Sequence, residues 1–119
     1  MFIKRKAFLI VLLIVALLSG CAEAPKEIQL NANVSWDGKY LYIENNDDFA
    51  WDNANITLNE DFEYKTKFIA KGKTSLELVE FAKSSGERYN PDTTKIMKVM
   101  IYMPPTKERA DGYWFGKAN

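Results

Sequence analysis

Histidine is absent from the 119 residues, and Cys21 is the only cysteine. No disulfide can form within the chain, although an exported protein would be free to make one. Zinc, copper and haem sites lose their usual ligands. Catalytic dyads that use histidine as the base are excluded outright. The six glycines are scattered, so no glycine-rich phosphate loop exists. None of the serines at 35, 75, 84 and 85 lies in a Gly-x-Ser-x-Gly elbow. With sixteen acidic residues in the chain, neighbours such as Glu60 and Asp61 carry no weight as a glycosidase pair. The composition therefore predicts a non-enzymatic protein without a cofactor.

Clustered positive charge is also missing from most of the chain. The formal net charge is zero, but Lys4, Arg5 and Lys6 stand in the first twenty residues, where no acidic residue occurs. The remaining 99 residues carry a net −3. Without a basic run after Lys6, nucleic acid is not an expected partner.

What is present begins with a leader. Lys4-Arg5-Lys6 precede an unbroken apolar stretch over 7–18, and Leu18-Ser19-Gly20-Cys21 ends it. Twelve apolar residues as a helix span about 18 Å, short of the roughly 30 Å hydrocarbon core, which favours a cleaved signal over a permanent span. Leu18-Ser19-Gly20-Cys21 resembles the lipobox of bacterial lipoproteins. That resemblance implies diacylglycerol on the Cys21 sulfur, cleavage between Gly20 and Cys21, and anchoring of the mature chain on the outer side of a membrane through two or three acyl chains. Ala22 stands where an aspartate would be the inner-membrane retention signal. The resemblance thus implies the outer membrane in a diderm host and the cell membrane in a monoderm one. The expected division is a signal peptide over 1–20, the lipidated cysteine and a polar tether over 21–27, and one domain over 28–119.

From Ile28 onward apolar residues alternate with polar ones, the mark of strands with one buried face. Leu30, Ala32, Val34 and Trp36 share one parity, and Asp37-Gly38 reads as a two-residue hairpin turn whose residues tolerate positive φ. The return strand over 39–45 sets Leu41 and Ile43 against Tyr40 and Tyr42. Further strands are predicted around Ala54, Ile56 and Leu58, then over 64–69, 75–79, 96–103 and 112–116, with a helical turn at 80–83. About seven short strands and no long helix predict an all-β domain. The expected form is a single small antiparallel β-sandwich, immunoglobulin-like or fibronectin-like, with a small β-barrel as the alternative. The stretches Tyr40 to Trp51, Asn55 to Asn59, Gly72 and Arg88-Tyr89-Asn90-Pro91 together resemble small extracytoplasmic β-sandwich domains of bacterial lipoproteins. That likeness implies fold and location, and no catalytic motif accompanies it.

Three places are candidate sites. Tyr40 and Tyr42 share the outward parity of their strand and offer an aromatic platform for a glycan or peptide. Arg88 and Tyr89 fall on an expected surface loop, where binding residues concentrate. Asp47, Asp48 and Asp52 crowd one turn and form a weak calcium candidate, but the spacing misses the twelve-residue calcium loop. A solvated turn whose Asn and Asp side chains cap their own backbone explains those acids as well. The function expected from these features is an envelope interaction module, with the membrane as one partner and a protein or glycan as the other. A structural accessory subunit and a calcium- or small-ligand-binding domain are the alternatives.

Overall fold

Alternation becomes strand wherever its apolar parity can be covered by a second layer. The computed structural model describes residues 26–118. Its strands are β1 (Ile28–Gln29), β2 (Ala32–Trp36), β3 (Tyr40–Asn45), β4 (Trp51–Asp52), β5 (Asn55–Leu58), β6 (Phe62–Lys65), β7 (Phe68–Ile69), β8 (Gly72–Glu77), β9 (Lys98–Met103) and β10 (Gly112–Lys117), with a 3-10 turn at Leu78–Glu80. One sheet runs β1-β10-β9-β5-β6, a second runs β2-β3-β8, and β4 and β7 form a two-stranded ribbon. All pairings are antiparallel except β1 with β10. No sheet closes on itself, so the domain is a β-sandwich and the barrel alternative is set aside. Of the seven long strands, the first, second and fifth (β2, β3, β8) oppose the third, fourth, sixth and seventh (β5, β6, β9, β10), as in immunoglobulin-like sandwiches.

The core lies between the two sheets. Leu41, Ile43 and Leu76 come from the smaller sheet, and Ile56, Leu58, Val99, Ile101 and Met103 from the larger. Ile56 pairs with Ile101 and Leu58 with Val99, so the inward side chains meet in rows across neighbouring strands. Leu30 carries the chain from one sheet to the other, and Gly112 makes room for it. A Cβ at Gly112 would lie 2.7 Å from Leu30 Cδ2.

Several local expectations need correction. Asp37 and Gly38 do not adopt positive φ. Instead the Asp37 carboxylate Oδ1 accepts hydrogen bonds from the backbone N–H of Lys39 (2.8 Å) and Tyr40 (2.7 Å), an Asx turn that makes left-handed backbone unnecessary. The positive-φ pair sits at Asn59 and Glu60, where β5 turns into β6. Asn59 tolerates it because its side chain is clipped to the start of β9. Its Oδ1 accepts from the N–H of Met97 (2.7 Å) and Lys98 (3.1 Å). The strand expected over 64–69 is two strands in different layers. β6 pairs with β5 and β7 with β4, which explains the adjacent Phe68, exposed, and Ile69, buried. The helical turn falls at Leu78–Glu80 rather than over 80–83, because Leu78 and Phe81 both turn into the core.

Candidate functional site

β3 is the middle strand of the smaller sheet, so its outward side chains have neighbours on both sides. Burial of Leu41 and Ile43 forces Tyr40 and Tyr42 outward. Their ring centroids lie 6.0 Å apart with the planes tilted by 43°. Register decides what surrounds them. Tyr42 stands opposite Ser35 on β2 and Ser75 on β8, and Glu44 stands opposite Asn33 and Lys73. Serines on both sides are too small to cover the Tyr42 ring, which is 37% exposed. The result is a shallow depression of about 450 Å³ across all three strands, lined by Asn33, Ser35, Tyr42, Glu44, Lys73 and Ser75.

The ring is held in place. Tyr42 Oη donates to Asp37 Oδ2 at 2.6 Å, a charge-assisted bond, while the other carboxylate oxygen holds the turn. Beside the ring, Asn33 Nδ2 donates to Glu44 Oε1 at 2.9 Å. Lys73 makes no ion pair among the described residues. The face therefore joins one oriented aromatic ring to hydroxyl, amide, carboxylate and ammonium groups. Tyr40 lies outside the depression, with Lys39 Nζ 5.3 Å from its ring centroid.

The bond between Asp37 and Tyr42 has a titration signature. Donation from the Tyr42 hydroxyl, then from the Tyr40 and Lys39 amides, lowers the Asp37 pKa. The same bond raises Tyr42 above its ordinary 10.0. The Asp37 contribution to stability is present above the unfolded carboxylate value of about 3.9 and is lost as pH falls through the lower folded value. The Tyr42 contribution is present below the unfolded phenol value of about 10 and is lost as pH rises through the higher folded one. Asp37→Ala is expected to bring the Tyr42 midpoint down toward 10.0, as read by NMR of the ring carbons. A midpoint unmoved by that substitution would refute the assignment.

The other candidates are dispersed. Arg88 Nη1 donates to the Val79 carbonyl at 3.2 Å and lies 3.6 Å from the Glu80 carboxylate, so it ties its loop to the 3-10 turn. Tyr89 is not a surface residue, and its expected role as a ligand contact gives way to one in the core. It is 2% exposed, its ring meets Phe62 edge-on at 5.2 Å, and its hydroxyl donates to the Thr94 carbonyl. Its amide donates to the Phe81 carbonyl, which draws the loop inward. In the acidic turn, Asp47 Oδ2 accepts from Trp51 Nε1 at 2.9 Å and from the Asn31 amide at 3.2 Å. Asp48 and Asp52 are exposed. No group of three acidic side chains placed to hold a metal occurs among the described residues. Cys21 lies outside the described residues.

Sequence reasoning missed Asn33, Ser35, Lys73 and Ser75 as companions of Tyr42. The outward parity of Asn33, Ser35 and Ser75 is legible along their strands, while Lys73 falls before the strand predicted over 75–79. Only the pairing of β2, β3 and β8 brings the four to one place. No protein-family model, no curated protein and no solved structure matches the chain, so the site stands on its own geometry.

Proposed function

We propose that the chain is a lipid-anchored, extracytoplasmic binding module of the cell envelope, without catalytic activity, whose smaller sheet takes a glycan. The anchor rests on Leu18-Ser19-Gly20-Cys21 behind its apolar run. The observation that carries the binding reading is the single oriented ring of Tyr42 between two serines in an open depression. A pyranose has apolar C–H faces and a polar rim. Its face suits a tyrosine ring, and its hydroxyls suit Ser35, Ser75, Asn33 and Glu44. One acid and one base leave the face without strong net charge, which favours neutral or amino sugars over polyanions. The shallow shape suits a chain lying across the strands.

Calorimetric titration with soluble cell-wall disaccharides tests the reading. Binding weakened at least about tenfold by Tyr42→Ala, a loss of roughly 1.4 kcal/mol, is the expected result. No heat with millimolar disaccharide, or equal affinity in the variant, would overturn it. In the same strain series Cys21→Ser is expected to move the protein from the membrane to the soluble fraction. An unchanged distribution would remove the anchor.

A further inference from the structure

The outer face of the larger sheet carries a second, different surface. On β9 and β10 three cross-strand pairs point outward in succession: Tyr102 with Tyr113, Met100 with Phe115, and Lys98 with Lys117. The two tyrosine rings stack obliquely with centroids 4.9 Å apart. Phe115 is 54% exposed and Met100 is 36% exposed. Four aromatic or apolar side chains thus form a contiguous strip on the side of the sheet away from the core. Lys117 closes one end of it, with its Nζ 5.7 Å from the Phe115 ring.

The row of Tyr113 and Tyr102 continues across Asn55 on β5 to Lys65 on β6. There a cleft of about 480 Å³ opens beside Tyr102, lined also by Thr66 and Lys67. Neither Lys65 nor Lys67 enters an ion pair among the described residues. Asn55 Oδ1 is buried at its margin without a hydrogen-bond donor. Two carboxylates share the face: Glu63 ends the row of Phe115, Met100 and Thr57, and Asp111 Oδ2 accepts from Tyr113 Oη at 3.1 Å. An apolar strip with Lys65, Lys67 and Lys117 at its margins still has the chemistry of a surface that lies at a lipid interface. Rings and thioether enter the acyl boundary, while lysines reach for phosphate.

The path of the chain selects this occupant. β1 is hydrogen-bonded alongside β10, with the Ile28 amide donating to the Asp111 carbonyl at 2.8 Å. The domain is therefore joined to the preceding segment at the tyrosine end of the strip. Only six residues separate Cys21 from Ile28, a reach of at most about 25 Å when fully extended. Acyl chains on Cys21 would hold this edge of the larger sheet close to the headgroups.

We propose that the outer face of the larger sheet lies against the bilayer, with Phe115, Met100, Tyr102 and Tyr113 at the acyl boundary and Lys65, Lys67 and Lys117 on lipid phosphates. This rests on the anchoring of Cys21 proposed above. Because the outer faces of a sandwich point in opposite directions, the Tyr42 depression is then turned away from the membrane, toward a partner.

The full chain, expressed with its leader and reconstituted in vesicles of phosphatidylethanolamine and phosphatidylglycerol at 3:1, permits a direct test. An environment-sensitive maleimide dye is placed on Met100→Cys and, as the opposite-face control, on Ser75→Cys. The parent chain is treated in parallel. The expected result is an unlabelled parent, a blue shift with several-fold brighter emission at position 100, and a water-like spectrum at position 75. Adding Phe115→Asp should abolish most of the shift. A parent that takes up dye on Cys21 would overturn both the anchor and the docking built on it. An unlabelled parent with water-like emission at both positions would overturn docking alone. A shift at position 100 that fades as protein is diluted at fixed lipid would assign the strip to a second copy, and would likewise overturn the proposal.

Discussion

Trp51→Ala is expected to lower the unfolding free energy of the domain by about 3–5 kcal/mol, the range for removing a large buried aromatic. Trp51 is fully buried on β4, opposite Ile69 of β7, and its indole N–H donates to Asp47 Oδ2 at 2.9 Å. The substitution opens a cavity and removes one of the two donors that hold the Asp47 carboxylate. A domain of this size has only about 5–15 kcal/mol in total, so the variant should be close to unfolding at physiological temperature. Urea denaturation followed by far-ultraviolet circular dichroism measures the loss. Trp51→Phe keeps an aromatic ring but loses the five-membered half of the indole with its N–H, and should fall between the variant and the parent. A loss below about 1 kcal/mol for the alanine variant would contradict its place at the centre of packing.

Asn45→Ala is expected to cost a comparable amount through a different mechanism. Asn45 is 1% exposed at the end of β3. Its Nδ2 donates to the carbonyls of Phe49 (3.0 Å) and Ile69 (3.1 Å), and its Oδ1 accepts from the Asp47 amide at 2.9 Å. One side chain thereby joins the smaller sheet to β7 of the ribbon and to the segment that leads into β4. Alanine removes three hydrogen bonds to backbone groups, at about 1–3 kcal/mol for each buried group left unsatisfied. Native-state hydrogen exchange should show the amides of β9 hastened by the loss of global stability alone, and those of Asp47 and Trp51 by more. Uniform acceleration across the domain would argue against a local clip. Asn45→Asp should be worse at neutral pH than in acid, because a carboxylate there would face two carbonyls. Burial would raise its folded pKa, so the penalty grows as pH rises through the unfolded value of about 3.9.

The two substitutions also show what strand patterning reveals. The parity of Leu41 and Ile43, and of Ile56 and Leu58, is enough to place them inside, because a strand turns alternate side chains to opposite faces. The same rule puts Tyr40 and Tyr42 outside. Parity says nothing about the ends of strands, where side chains answer to local hydrogen bonds. Asn45 reads as one more turn residue and is instead a buried clip. Tyr89 reads as a loop residue and is drawn into the core by the Phe81 carbonyl and by Phe62. Asp37-Gly38 carries a strong turn signal in the right place, yet the turn is built by the aspartate side chain rather than by left-handed backbone.

Alternation of residue types by itself determined that the domain is all-β, where most of its strands lie and which parity is buried, since these follow from the geometry of a single extended chain. The anchor proposed from Leu18-Ser19-Gly20-Cys21 likewise rests on a local motif. Register and layering were decided only by the tertiary structure. Ser75 lies far along the chain from the hairpin that holds Ser35 and Tyr42, and the three become neighbours only through the register of β2, β3 and β8. Tyr102, Tyr113, Asn55 and Lys65 become one row in the same way. A surface that could meet a ligand or a membrane is made from side chains on several strands, and no single strand specifies its partner's register.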